Sequence, residues 1–256
     1  MKDGGPELVP VPSPAARRSF WDARRRRPAF LVFLLAGLVA FLIWLPSVTR
    51  ASLWSAVRAQ RGLLFLLFLF ALVTLSLIWK AGQRLDSRVF TLINTQVYPK
   101  WLDRFMWLAT QPGHMLVAFF AAIVYFLLGR RGLAAEIVLG TLTLWLLVEV
   151  IKMLSSRARP YLTLDGTRVV GVREMGNSFP SGHTSQIFFL VTLFVHHIQP
   201  GTAGIAALYA VAVLVGITRI YVGAHYPRDV IAGVVLGSVW GLLAAMVDRY
   251  WLLLVF

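Results

Sequence analysis

Three short stretches of this chain carry the side chains that phosphate chemistry uses. In the first, Lys152 and Arg159 stand seven residues apart, with Pro160 directly after. Seven residues are about two helical turns, so both cations reach one side while the helix lasts. Pro160 then holds Arg159 in an extended conformation. In the second, Pro180-Ser181-Gly182-His183 is a turn opening a helix. A helix start offers free N–H groups and partial positive charge to an anion, and Gly182 lets that anion approach the backbone. In the third, Arg219 precedes His225 and Asp229, which are four apart. One helical turn there brings the carboxylate to the imidazole, fixing which ring nitrogen carries the proton. Each stretch also has a plainer reading. Cations at a helix end snorkel to the interface, Ser181 is an ordinary N-cap, and Asp229 caps the helix that begins near Val230. Three cations, a helix start, two histidines and one acid nevertheless form one set. Phosphoryl transfer needs charge neutralisation, a positioned nucleophile and a proton donor for the leaving oxygen, and histidine serves as such a nucleophile.

The elements that must position these residues read as membrane helices. Of the 256 residues, 58% are hydrophobic and 14% charged, well away from a soluble domain. Residues 29–45, 62–79, 201–218 and 230–247 contain no charge; 113–129 and 184–198 are nearly as apolar, and 132–151 is apolar except for Glu136 and Glu149. Runs of this length predict up to seven spans, and they lack the two-residue alternation of barrel strands. The three stretches fall at span ends. The fold class expected is therefore all-α, a multi-pass transmembrane helical bundle.

Between the runs, residues 1–28 are rich in Pro, Gly, Ala and Arg and read as a basic, disordered cytoplasmic tail ending in Arg24-Arg25-Arg26-Arg27. Residues 29–61 read as an extra hydrophobic helix and its linker. Leu85, Val89, Leu92 and Ile93 recur at helical spacing among charges and predict an amphipathic interfacial helix, followed after Pro99 by a short one around Trp101–Leu108. The loop 153–183 is the longest polar stretch between spans, and a long loop in a compact domain is often functional. The net charge of +14 does not indicate nucleic acid, because most of the cations lie between apolar runs, where membrane topology puts them. Cysteine is absent, which excludes disulfides and thiolate metal sites.

The three motifs resemble the signature of the type 2 phosphatidic acid phosphatase (PAP2) superfamily, K-x6-RP, then PSGH, then SR-x5-H-x3-D. This chain has Lys152-x6-Arg159-Pro160, Pro180-Ser181-Gly182-His183 and Arg219-x5-His225-x3-Asp229 in that order, with Thr218 where the pattern has Ser. The resemblance implies a six-helix core over about 62–256, to which 29–61 adds one helix. It implies that His225 attacks phosphorus, that Asp229 orients it, and that His183 protonates the leaving alkoxide. Lys152, Arg159, Arg219, Ser181 and Gly182 then hold the phosphate oxygens. No metal and no cofactor are expected, and the sequence has no HExxH motif. The expected activity is hydrolysis of a lipid phosphate or diphosphate, with phosphatidic acid, phosphatidylglycerol phosphate and polyprenyl diphosphate all open. The expected setting is the plasma or inner membrane, with the bilayer and the lipid substrate as partners. A phosphotransferase of the same fold, a vanadium haloperoxidase and a non-enzymatic scaffold are the rivals; the apolar spans weigh against the second and the three ordered motifs against the third.

Among the other polar residues, Glu149 and Lys152 are three apart and read as a structural pair. Glu136 lies within a span with no evident partner, while His114, His196 and His197 read as interfacial. Glu174 and Asn177 sit in the long loop within reach of a head group. Trp101, Trp107 and Trp251 suit an interfacial belt. Seven spans with an inner N-terminus put 19 Lys and Arg inside against 6 outside, and the site in the cytoplasm. If 29–45 does not cross, the counts are 13 and 12 and the site faces out. The sequence leaves both layouts open.

Overall fold

The computed structural model describes residues 7–8, 36, 40, 43, 61–77 and 80–255, without the side chains of Lys80 and residues 246–255. The expected tail (1–28) and extra helix with its linker (29–61) thus lie outside the described residues, apart from the few positions just named.

The described helices are α1 (Arg61–Ser76), α2 (Lys80–Asn94), α3 (Lys100–Ala109), α4 (Met115–Leu127), α5 (Arg131–Ser155), α6 (Gly182–Ile198), α7 (Thr202–Tyr221) and α8 (Pro227–Val255). Among the described residues the single strand pairing is two residues long: Glu7–Leu8 (β1) runs antiparallel to Arg168–Val169 (β2). It places residues 7–8 beside the long loop between α5 and α6.

The helix ends follow local chemistry. Ser156 closes α5 in the left-handed region at φ 48°, and Pro160 holds Arg159 extended before opening a single 3₁₀ turn, Pro160–Leu162. Gln199 closes α6 at φ 48°, followed by Pro200-Gly201. Pro227 opens α8, where a missing N–H costs nothing.

The helix α6 is the centre of the bundle. Every residue from Thr184 to Leu193 is buried, as expected of a helix surrounded by others. Phe189, Leu190 and Leu193 join Ile137, Leu144 and Val148 of α5 and Leu236 of α8 in the main apolar cluster. The approach of α8 to α6 depends on Gly233, Gly237 and Gly241, four residues apart. A Cβ at Gly237 would stand 2.2 Å from the Ser185 carbonyl oxygen, and one at Gly241 would stand 2.6 Å from Thr192 Cβ. Small residues at this spacing let membrane helices touch backbone to backbone.

The large hydrophobic side chains left exposed, such as Phe65 and Phe68 on α1, Phe120 on α4 and Trp145 and Leu146 on α5, face lipid. The protein is a multi-pass transmembrane helical bundle. The six apolar runs after residue 61 all appear as helices, but they differ as spans. Among the described residues, three segments are long and apolar enough to cross alone: Arg131–Leu162, Thr202–Tyr221 and Pro227–Ala245. α1 meets α2 at a 93° bend and the α3 segment meets α4 at 54°; counting each bent pair as one span gives up to five. α1 and α4 have only 16 and 13 residues, too few to cross a ~30 Å core at 1.5 Å per residue, and the 17 residues of α6 sit at the limit.

The helices predicted around 80–94 and 101–108 are present as α2 and α3, but α2 is turned in an instructive way. Leu85 and Leu92 are exposed, whereas Asp86, Phe90 and Asn94, four apart, are buried. Val89 and Ile93 of the predicted stripe are half-buried, Ile93 against the cluster of Phe90, so only its Leu85 and Leu92 edge faces outward, and the inner face also carries polar groups to the loops of the site.

Candidate active site

The three sequence motifs converge at one end of the bundle. Lys152 comes from the last turn of α5, Arg159 from the segment after it, Ser181, Gly182 and His183 from the start of α6, Arg219 from the last turn of α7, His225 from the loop that follows, and Asp229 from the first turn of α8. A cavity of about 280 Å³ opens here, lined by Lys152, Arg159, Glu174, Gly182 and His183 together with Gly113, His114, Trp145, Glu149 and Gln186.

Glu174, in the long loop, stands at the centre. Its carboxylate accepts from Arg159 Nη1 at 2.9 Å and from Arg219 Nη2. His183 Nδ1 and His225 Nε2 each lie 3.6 Å from it, on different carboxylate oxygens. Both histidines and both arginines therefore surround one small anionic group. Burial works to raise the Glu174 carboxyl's pKa, but the Arg219 guanidinium beside it outweighs burial and holds the group well below the usual carboxylate range.

His225 is buried, and its ring is fixed from two sides. Nδ1 lies 2.7 Å from the Ser178 carbonyl oxygen, which can only accept. Nδ1 therefore carries the proton, and Nε2 is the unprotonated nitrogen, on the side of the Glu174 carboxylate. The second contact is Arg159 Nη1, 3.4 Å from Nε2. Asp229 stands adjacent, with Oδ2 3.8 Å from Nδ1. That oxygen instead accepts the Ser178 hydroxyl at 2.5 Å and the Tyr226 N–H at 2.9 Å. The hydrogen bond expected between His225 and Asp229 is thus replaced by one to a main-chain carbonyl.

Arg159 is fully buried, and three of its bonds go to main-chain oxygens: Nε to Gly176, Nη2 to Met175 and Nη1 to Ala224. Arg219 donates Nη1 to Thr110 Oγ1 at 2.8 Å, and its buried Nε has no partner among the described residues. Lys152 Nζ pairs with Glu149 at 2.7 Å, the structural pair its spacing predicts, and lies 3.9 Å from where a Cβ on Gly182 would be. Ser181 is buried and is the N-cap residue of α6, though its side chain makes no capping bond. Its hydroxyl accepts from Thr184 Oγ1 at 2.9 Å, and it is not among the cavity-lining residues.

Several residues have roles that their sequence positions did not disclose. Arg157 bridges two buried acids, donating Nη1 to Asp229 at 2.5 Å and Nη2 to Asp86 of α2, with its guanidinium 4.3 Å above the Tyr226 ring. His114 is not merely interfacial. Its Nδ1 accepts from Leu116 N–H at the start of α4, and its ring stands edge-on to His183 at 5.7 Å. Glu136 does have a partner, His197 Nε2 at 2.9 Å. Asn177 holds the loop to the end of α5 through the Lys152 carbonyl. The spacing of Arg157 from Arg159 hints at a further site cation, but Asp86 lies 71 residues away and gives no signal.

The family model of the PAP2 superfamily matches residues 133–252. Over 95 residues the chain is 39% identical to the bacitracin transport permease protein BcrC of Bacillus licheniformis, covering 36% of this chain and 44% of that one. Over 111 residues it is 38% identical to a lipid A 1-phosphatase of Rhizobium etli, covering 40% and 44%. The match thus spans under half the length of these relatives. Among solved structures, the transmembrane PAP2-type phosphatidylglycerolphosphate phosphatase of Bacillus subtilis superposes with a TM-score of 0.60 at 24% identity, over 73% of this chain and 96% of that one. This likeness establishes the shared fold.

Proposed function

We propose that the chain, whose residues 133–252 match the family model of the PAP2 superfamily, is an integral membrane phosphatase of the plasma or inner membrane. It hydrolyses a lipid phosphate or diphosphate through a phosphohistidine. The phosphatase unit in this reading runs from 62 to 256, since α2 supplies Asp86 to the site network and α1 packs on α8.

The observation that carries the proposal is the common ring of Arg159, Arg219, His183 and His225 around one anion position. A phosphoryl group set there has both arginines on its oxygens, and the unpartnered Arg219 Nε offers one more donor. Gly182 and Lys152 line the same cavity. The Nε2 lone pair of His225 forms a bond to phosphorus while the bond from phosphorus to the lipid oxygen breaks. His183 gives that oxygen its proton. Asp229, 3.8 Å behind the ring, offsets the positive charge on the phosphohistidine. Water then attacks phosphorus, His183 takes a proton from it, and inorganic phosphate leaves with His225 restored. The cavity reaches Leu144, Trp145 and Val148 of α5, an apolar wall suited to a substrate whose tail stays in lipid. The lipid A 1-phosphatase relative supports a lipid phosphate as substrate.

The test is phosphate release by purified protein in detergent from phosphatidic acid, phosphatidylglycerol phosphate and a polyprenyl diphosphate. Release from at least one, lost in His225→Ala, is expected. No release from any of them would overturn the proposal.

A further inference from the structure

Glu174 is not part of the three motifs, yet it makes the densest set of charged contacts in the site. Its oxygens occupy the places where two phosphoryl oxygens would sit, one against Arg159 and one against Arg219, with both imidazoles 3.6 Å away. We infer that Glu174 is a built-in competitor for the phosphoryl position, which every incoming phosphate must displace. The inference rests on the phosphatase reading above and deepens it.

Three observations support exchange of the side chain rather than a fixed structural role. First, the loop around Glu174 is held by its main chain. The Glu174 carbonyl accepts from Tyr161 Oη at 2.5 Å, and Arg159 holds the next two carbonyls. The carboxylate can leave without releasing the loop. Second, the segment is bounded by Gly171 and Gly176, both at φ +82°, left-handed positions that favour glycine. Third, the carboxylate side chain is 27% exposed on the cavity side, whereas its partners Arg159 and Arg219 are 2% and 4% exposed. The movable member of the cluster is therefore the acid. Its ionisation persists across the working pH range, because the Arg219 guanidinium beside it depresses its pKa.

The consequence is a weaker hold on every anion. If the carboxylate holds the position in nine molecules of ten, every anion binds about tenfold more weakly than the bare site allows. The factor is equal for all anions, so it leaves their ranking unchanged and raises the concentration each needs to fill the site. A lipid phosphate adds the binding of its tail and its concentration in the bilayer plane. Inorganic phosphate, the product, adds neither and is expelled when the carboxylate returns.

The experiment is calorimetric binding of orthovanadate, a phosphate analogue that needs no turnover, to full-length wild-type, Glu174→Gln and Glu174→Ala proteins in detergent. Phosphate product inhibition is measured beside it. The expected result is tenfold or more tighter vanadate binding in Glu174→Ala, a smaller gain in Glu174→Gln, and a matching fall in the inhibition constant for phosphate. Unchanged or weaker vanadate binding in both variants, in protein that still unfolds cooperatively, would overturn the inference. If the alanine variant fails to fold, the glutamine variant, close in size and still able to accept from an arginine, decides alone. Vanadate binding that tightens in Glu174→Ala while wild type releases no phosphate from any lipid sinks the phosphatase reading alone, since competition for the anion position needs no turnover. An active wild type with vanadate affinity indifferent to Glu174 sinks this one alone.

Discussion

His225 donates its Nδ1 proton to the main-chain carbonyl of Ser178, 2.7 Å away. In many histidine-dependent sites a carboxylate does this work, and replacing it by an amide leaves the ring in the wrong tautomer, at a loss of about 10⁴ in serine proteases. Here no side-chain substitution removes the acceptor. Asp229 contributes charge from 3.8 Å without fixing the tautomer. Asp229→Asn is therefore expected to lower kcat by no more than ~10²–10³-fold, the range of a lost electrostatic contribution, while His225→Ala abolishes turnover. Steady-state phosphate release from a lipid phosphate checks both. A loss in Asp229→Asn as complete as in His225→Ala would show that the carbonyl does not hold the tautomer.

Arg157 is the second feature to test. It stands between Asp86 and Asp229, which are 2% and 0% exposed, and its own side chain is 14% exposed. Removing one partner of such a pair leaves an uncompensated buried charge, at about 3–5 kcal/mol. Asp86 keeps Arg228 as a second partner, with Nε at 2.6 Å, so the unrelieved charge falls mainly on Asp229. Arg157→Met is expected to lower stability toward the low end of that range in denaturant or thermal unfolding. Arg157→Lys, which cannot reach both acids in one plane, is expected to fall between. Asp86→Asn, leaving Arg157 on Asp229, is expected to cost less than Arg157→Met.

These two features mark the limit of what the sequence discloses. The motif residues are legible because their types are unusual at span ends and their spacing is tight, so eight site residues could be named by number. The helices are legible because a bilayer demands long apolar runs. Asp86, Glu174 and His114 are not legible in the same way. Asp86 lies on a helix whose Leu85 and Leu92 edge faces outward. In water that edge would mark the core; against lipid it marks the outside, and the polar face becomes the informative one. Glu174 sits in a loop where nothing periodic constrains it. The carbonyl of Ser178 has no side-chain identity to read at all.

The depressed pKa of Glu174 gives a prediction in pH. A carboxyl held below its unfolded value of ~4.3 binds fewer protons folded than unfolded in the acid range. Its contribution to stability is therefore complete above about pH 5 and declines as pH falls below that value. The difference in thermal midpoint between wild type and Glu174→Gln is expected to be flat from pH 5 to 8 and to shrink below pH 5. By the same sign, any limb of the pH–rate profile between pH 5 and 8 belongs to groups other than Glu174, and a limb of a neighbouring imidazole shifts to lower pH in the glutamine variant. A thermal-midpoint difference that grows as pH falls below 5 would contradict the depressed pKa.

The glycine contact between α6 and α8 links packing to the site. The Ser181 N–H donates to the Asp229 carbonyl at 3.0 Å, joining the start of α6 to the start of α8, and Gly233 and Gly237 continue that approach one and two turns on. A methyl group at Gly237 would stand 2.2 Å from the Ser185 carbonyl and 2.9 Å from Phe188 Cβ, and a backbone atom cannot rotate away. The helices must separate or shift, and overpacking of this kind costs about 1–3 kcal/mol. Because Ser185 bonds back to the Ser181 carbonyl through both its N–H and its hydroxyl, the displacement reaches the helix start beneath Gly182 and His183. Gly237→Ala is expected to lower both thermal midpoint and kcat. Gly132→Ala, at a helix position where a Cβ meets nothing within 4 Å, is expected to change neither. A Gly237→Ala protein with wild-type stability and turnover would mean that α6 and α8 are not held as closely as the structure has them.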